Sequence, residues 1–229
     1  DDFQRDPTQA IITLAAFSFS LVIAITVHEF SHALAATSLG DRTAQSQGRL
    51  SLNPAAHLDP VGTALIFFAG FGWGKPTPVN PFLFLRISPR QGMALVSMAG
   101  PISNIVVASL FAIPIRAGLV DLGGFSFELF GESVNDIADV ILINMVFWNL
   151  LLATFNLLPI APLDGFKVVL GILPPESARG FARLEQYGPG ILMMTIMLEY
   201  ILPGPGILSS FINPILNLLT TVVLGGQVL

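Results

Sequence analysis

The sequence predicts an all-α polytopic membrane protein, with about five to six transmembrane helices and a re-entrant loop carrying a short extended or β segment. Three observations carry that expectation. Hydrophobic residues make up 53% of the 229 residues and charged residues only 11%, where ordinary soluble domains carry about a quarter charged residues. Mean hydropathy is +0.75. The remaining charges are separated by uncharged runs long enough to cross a hydrocarbon core of about 30 Å. So few charges cannot cover a soluble protein, and 18 Phe residues in long apolar runs exclude low-complexity disorder.

The elements follow from the gaps between charges. Residues 10–27 are 18 uncharged residues that end in His28-Glu29-Phe30-Ser31-His32, after which apolar character resumes until Gly40. A helix over about 8–39 would be roughly 45 Å long, enough to span and protrude. The run 61–74 is too short to span and ends in Gly70-Phe71-Gly72-Trp73-Gly74. It reads as the re-entrant element, a short helix followed by extended chain, packed on protein because lipid cannot satisfy its backbone. Residues 91–115 and 140–163 hold 25 and 24 uncharged residues and predict two more spans. The stretch 168–173 is a half-span. A closing pair, 191–202 and 207–224, is joined by Pro203-Gly204-Pro205-Gly206. There is no internal repeat, and the chain reads as one membrane-embedded domain over 1–229, with a core at about 10–175 and a C-terminal helix pair at about 184–225. The first apolar run is too long for a signal-peptide core, and Asp1 in place of an initiator Met reads as processing or trimming.

A net charge of −5 without a Lys/Arg cluster excludes a basic nucleic-acid binder. The absence of cysteine removes disulfides, thiolate zinc sites and thiol nucleophiles. The charges that remain sort by side. Arg42, Arg49, Lys75, Arg86 and Arg90 in 40–90 join Lys167, Arg179 and Arg183 in 159–185, whereas 116–139 holds Arg116 against Asp121, Glu128, Glu132, Asp136 and Asp139. Eight of ten basic residues fall on one side, which the positive-inside rule makes cytoplasmic. The expected placement is a multi-pass protein of the cell membrane, with its N-terminus outside and the 40–90 loop cytoplasmic.

Charged residues within a span are costly and mark function. In His28-Glu29-Phe30-Ser31-His32 the two imidazoles stand at i and i+4, on one helix face, where both can reach one metal ion. Glu29 is placed beside them to take a proton from water. This is the HExxH pattern of zinc hydrolases. A transporter carrying metal ions or protons past the same groups is the rival reading, and an inactive scaffold of the same fold is a third. A catalytic zinc takes three protein ligands, so a third is needed from His57, Asp59, Asp164, Glu185 and Glu199. Asp164 stands out, because Pro159 and Pro162 break the helix ahead of it and let the chain hold a carboxylate below the membrane surface. The alternative is an Asp that caps a short helix beginning near Gly165.

HEFSH followed over a hundred residues later by Asn156-Leu157-Leu158-Pro159-Ile160-Ala161-Pro162-Leu163-Asp164-Gly165 resembles the site-2 protease family of intramembrane zinc metalloproteases. The match is to HExxH with NxxPxxxLDG, and roughly residues 10–175 are covered. Asn53-Pro54 through His57, Asp59, Pro60 and Gly62, then Gly72-Trp73-Gly74-Lys75-Pro76 with Pro78-Val79-Asn80, look like the compact branch without PDZ or CBS domains. Gly100-Pro101-Ile102-Ser103-Asn104 matches that branch's small-residue motif. Asp164-Gly165-Phe166-Lys167 departs from the Asp-Gly-Gly-Arg that is common in the family. The resemblance implies one Zn2+ per chain on His28, His32 and Asp164, with Glu29 as general base, hydrolysing peptide bonds in or near the transmembrane segments of membrane-protein substrates in the bilayer.

Other residues keep two readings. The Asn156 amide is expected either to bind the substrate backbone or developing oxyanion, or to make a polar interhelical contact. The Gly- and Pro-rich stretch 71–81, with Gly72 and Gly74, offers either an extended edge for an unwound substrate or a rigid turn. Asn104 is expected to support the metal-bearing helix by hydrogen bonding, His57 to be structural or a gate element, and Asn144 and Asn149 to serve interhelical packing.

Overall fold

The computed structural model describes residues 7–69, 72–120, 137–201 and 206–226. Its longest helix, α1 (Pro7–Ser38), runs unbroken through the apolar stretch and the polar cluster, and its 32 residues make about 48 Å. It ends just before Gly40, whose φ of 109° is a conformation that side chains disfavour. A single turn, α2 (Thr43–Ser46), and the short helix α3 (Pro60–Ala69) follow. Then come α4 (Pro89–Arg116), α5 (Ile137–Asn156), α6 (Asp164–Ile172), α7 (Pro175–Ala182), α8 (Gly188–Ile201) and α9 (Ile207–Leu224).

Four helices among the described residues, α1, α4, α5 and α9, are long and apolar enough to cross a membrane. The expected closing pair is α8 and α9, but α8 has 14 residues, about 21 Å, and only α9 is of spanning length. The expected linker at 203–205, the loop over 121–136 and the tail over 1–6 lie outside the described residues. The span expected over 140–163 ends at Asn156, because Pro159 and Pro162 have no N–H to extend the helical ladder. Residues 157–163 fold into turns instead, and α6 begins at Asp164.

Helix α4 is the hub, packing against α1, α5, α6 and α9, while α1 also packs on α5. Its faces are sorted in the opposite sense to those of a soluble helix. Leu95, Ile102, Val106, Leu110 and Ile113 are each exposed by half or more, and the buried face carries Gly100, Asn104, Ala108 and Ala112. Bulky apolar residues outside and small or amide-bearing residues inside suit lipid, where close backbone approach and interhelical hydrogen bonds hold helices together. Ser88 starts α4 by accepting from Gln91 N–H at 3.3 Å, with Pro89 at the first helical position.

The segment between α1 and α4 is tied back at several points. Leu58 and Gly74 form an isolated antiparallel bridge, the one short piece of β pairing among the described residues. It closes the loop that contains α3, whose ten residues rise about 15 Å, half a bilayer core. Asp41 is fully buried and accepts from Thr43 N–H at 2.9 Å, from the Thr43 hydroxyl at 2.5 Å and from Asn80 N–H at 2.6 Å. That contact binds the end of the extended stretch 75–80 to the foot of α1.

Candidate metal centre

Regular i,i+4 geometry on α1 sets the two imidazoles of the motif edge to face, with ring centroids 4.6 Å apart and planes at 89°. The chain returns over a hundred residues later to meet them. Each Nε2 lies 3.1 Å from the same atom, Asp164 Oδ2. Asp164 is the first residue of α6, delivered there by the proline-broken turns. Its carboxylate reaches the imidazoles, and no side chain caps the start of α6. The alternative role as a helix cap is therefore not the one its side chain adopts.

The far nitrogens are engaged too. His32 Nδ1 lies 2.7 Å from the Val96 carbonyl, and His28 Nδ1 lies 2.7 Å from Asn104 Oδ1. Acceptors on that side place the hydrogen on Nδ1 and leave Nε2 to face Asp164. Gly100 floors the pocket. A Cβ there would stand 2.6 Å from His28 Cε1 and from His32 Cε1 and Nε2, so only glycine lets α4 pass this close to α1.

Glu29 comes within the same cluster, since one ligand atom from each of His28, Glu29 and His32 lies within 4.8 Å of the others. Its Oε2 accepts from Thr77 N–H at 2.9 Å, and the Thr77 hydroxyl donates to the Glu29 carbonyl at 3.0 Å. Two imidazole nitrogens from α1 and a carboxylate oxygen from the start of α6 converge into a donor set suited to zinc. Ligand atoms of a tetrahedral zinc stand about 3.3 Å apart, close to the 3.1 Å found between each Nε2 and Oδ2.

The remaining predicted site residues are spread more widely. Asn156, at the end of α5, donates its amide to the Leu152 carbonyl of its own helix at 3.0 Å. His57 is fully buried in the loop, with Nε2 2.7 Å from the Ser51 carbonyl. Gly72 abuts the Gly62 carbonyl, and Gly74 lies under Ile25 of α1, where a Cβ would meet Ile25 Cγ2 at 3.0 Å. Most N–H groups of the expected substrate edge are already occupied or missing. Lys75 N–H bonds the His57 carbonyl at 2.7 Å, Thr77 bonds Glu29 and Asn80 bonds Asp41, while Pro76 and Pro78 have none. Asn144 bonds the Val140 carbonyl and Trp148 on its own helix, whereas Asn149 reaches across to Asn104.

Comparison with known proteins supplies an independent observation. The chain is 41% identical over 173 residues to "Putative zinc metalloprotease YwhC" of Bacillus subtilis, covering 74% of each chain. The chain belongs to this family of zinc metalloproteases. The chain is also similar to "Putative zinc metalloprotease Rip2" of Mycolicibacterium smegmatis, 30% identical over 82% of this chain and 66% of the relative. Rip2 of Mycobacterium tuberculosis is 27% identical over 77% and 64%. No family model and no solved structure matches the chain.

Sequence reasoning missed three groups at the centre of this metalloprotease. The Val96 carbonyl and the Thr77 N–H are backbone atoms, which carry no residue-type signal. Gly100 was legible as a small packing residue, but not as the floor beneath both imidazoles.

Proposed function

We propose that the chain is a site-2-type intramembrane zinc endopeptidase that hydrolyses peptide bonds in or near the transmembrane segments of membrane-protein substrates. The observation that carries this reading is the meeting of His28, His32 and Asp164 between apolar helices, with Glu29 alongside. His28, His32 and Asp164 would hold one zinc. Bound there, zinc supplies a Lewis acid for a carbonyl oxygen and acidifies a water molecule. Glu29 would take a proton from the attacking water and return it to the leaving amine, while the Thr77 N–H holds its carboxylate.

Asn156 stands at the α5 terminus, eight residues before Asp164, and its role is to bind the substrate backbone or oxyanion. Full turnover in Asn156→Ala would remove it from the catalytic set. The expected orientation places the 40–90 loop on the cytoplasmic face of the cell membrane. A transport function is not favoured, because the ionisable groups away from the ends of the spanning helices, His28, Glu29 and His32, gather at one centre instead of lining a path.

The test is reconstitution of the purified protein in liposomes. One zinc per chain and cleavage of a transmembrane peptide, without divalent-ion flux, is the expected result. Flux without cleavage would overturn the reading.

A further inference from the structure

Two asparagines from different helices meet in the centre of the bundle. Asn104 of α4 and Asn149 of α5 are both fully buried, where an unbonded amide is costly. Asn149 Nδ2 donates to the Met145 carbonyl of its own helix at 2.8 Å. A carbonyl can only accept, so this contact turns Asn149 Oδ1 toward Asn104, whose Nδ2 donates to it at 2.9 Å. The same Nδ2 donates to the Ala24 carbonyl of α1 at 3.0 Å. Both hydrogens of the Asn104 amide are thereby claimed. The atom left to face His28 Nδ1, 2.7 Å away, is Oδ1, an acceptor. Ala24 lies one turn before His28, so Asn104 bridges one turn of α1 and sets the imidazole at its end.

We propose that Asn149 is a positioning residue for the metal centre, acting through Asn104 to hold His28 with its hydrogen on Nδ1 and its Nε2 toward Asp164. The proposal rests on the zinc reading above. Without Asn149, one hydrogen of Asn104 loses its acceptor, and the NH2 group is held only by the Ala24 carbonyl. The preference for presenting Oδ1 to His28 weakens, and with it the preference for the imidazole form that ligates through Nε2. Asn149 makes no hydrogen bond to either imidazole, so its polar link to His28 runs through Asn104.

The test uses the full chain in detergent, with zinc as the probe, and measures the zinc Kd by chelator competition. The chain has three histidines, so 15N-histidine labelling also resolves the ring nitrogens of His28 in the zinc-loaded protein. Asn149→Leu is expected to weaken zinc about tenfold, the lower end of the effect of outer hydrogen-bond partners on metal sites. It should shift the His28 Nδ1 resonance and leave His57 unmoved. Asn104→Ala is expected to weaken zinc further, and the double variant no further than Asn104→Ala alone. Thr154→Val, a buried change on the same helix, is expected to change neither reading. Asn149→Ala gives the same readings if Asn149→Leu is not recovered folded.

A wild-type zinc Kd and an unmoved His28 resonance in the Asn149 variants would overturn this proposal alone, as would losses that multiply in the double variant. No zinc on the unsubstituted chain would overturn the zinc reading and this proposal with it.

Discussion

The backbone N–H of Thr77 donates to Glu29 Oε2 at 2.9 Å, so a stretch of loop 48 residues away in sequence grips the acid beside the two histidines. Thr77 sits between Pro76 and Pro78, which have no N–H and favour extended backbone. The stretch is therefore a stiff strap, tied to the loop at Lys75, to Glu29 at Thr77 and to Asp41 at Asn80. The N–H groups of Lys75, Thr77 and Asn80 are taken within the protein, which limits the stretch as a pairing edge for substrate and makes it a support for the acid.

Thr77→Pro removes that N–H while suiting an extended backbone. A hydrogen bond to a charged group is worth about 1.5–3 kcal/mol, so cleavage is expected to fall roughly ten- to hundredfold with zinc content unchanged. Thr77→Val, which deletes only the hydroxyl, should stay within a few-fold of the unsubstituted chain. Initial-rate assays on a transmembrane peptide check both.

Asp41→Ala leaves three donors unsatisfied, the N–H groups of Thr43 and Asn80 and the Thr43 hydroxyl. The cost is expected to be a few kcal/mol, read as a lower thermal midpoint. Cleavage should fall because the strap loses its far anchor, while zinc per chain stays at the unsubstituted value.

Gly100→Ala places a methyl group against both imidazoles. Zinc affinity is expected to fall at least about tenfold, as for other losses of ligand geometry. Gly190→Ala is the control, since a Cβ there meets nothing within 4 Å, and it should bind zinc normally.

Asp164→Asn keeps the shape of the side chain and removes its charge. The purified variant is expected to retain little zinc by elemental analysis, because a neutral amide is a poor zinc ligand. Zinc at the unsubstituted level in Asp164→Asn would exclude this residue from the metal.

What was legible in the sequence was what rests on local rules. The i,i+4 spacing of His28 and His32 needs only a helix, and charge-free runs of spanning length mark α1, α4 and α9 directly. Asp164 was legible through Pro159 and Pro162, which stop α5 and make room for a turn. The end of α5 was misplaced for the same reason, since hydropathy continues to Leu163 while the backbone ladder cannot. The brevity of α8 was visible in its twelve-residue apolar run, 191–202, and the structure only moves its start back to Gly188. Asn149 and Asp41 acquire meaning only from partners 45 and 39 residues away, which no local pattern encodes.

The most direct test is a paired measurement on the purified chain and its Glu29→Gln variant, in which zinc per chain and cleavage of a transmembrane peptide are read side by side. Glutamine keeps the size of the side chain and an oxygen for Thr77, but cannot take the proton. Zinc retained by both proteins, with cleavage only by the unsubstituted chain, is the result expected of a zinc peptidase using Glu29 as its base. Equal cleavage by both, or zinc on neither, would contradict it.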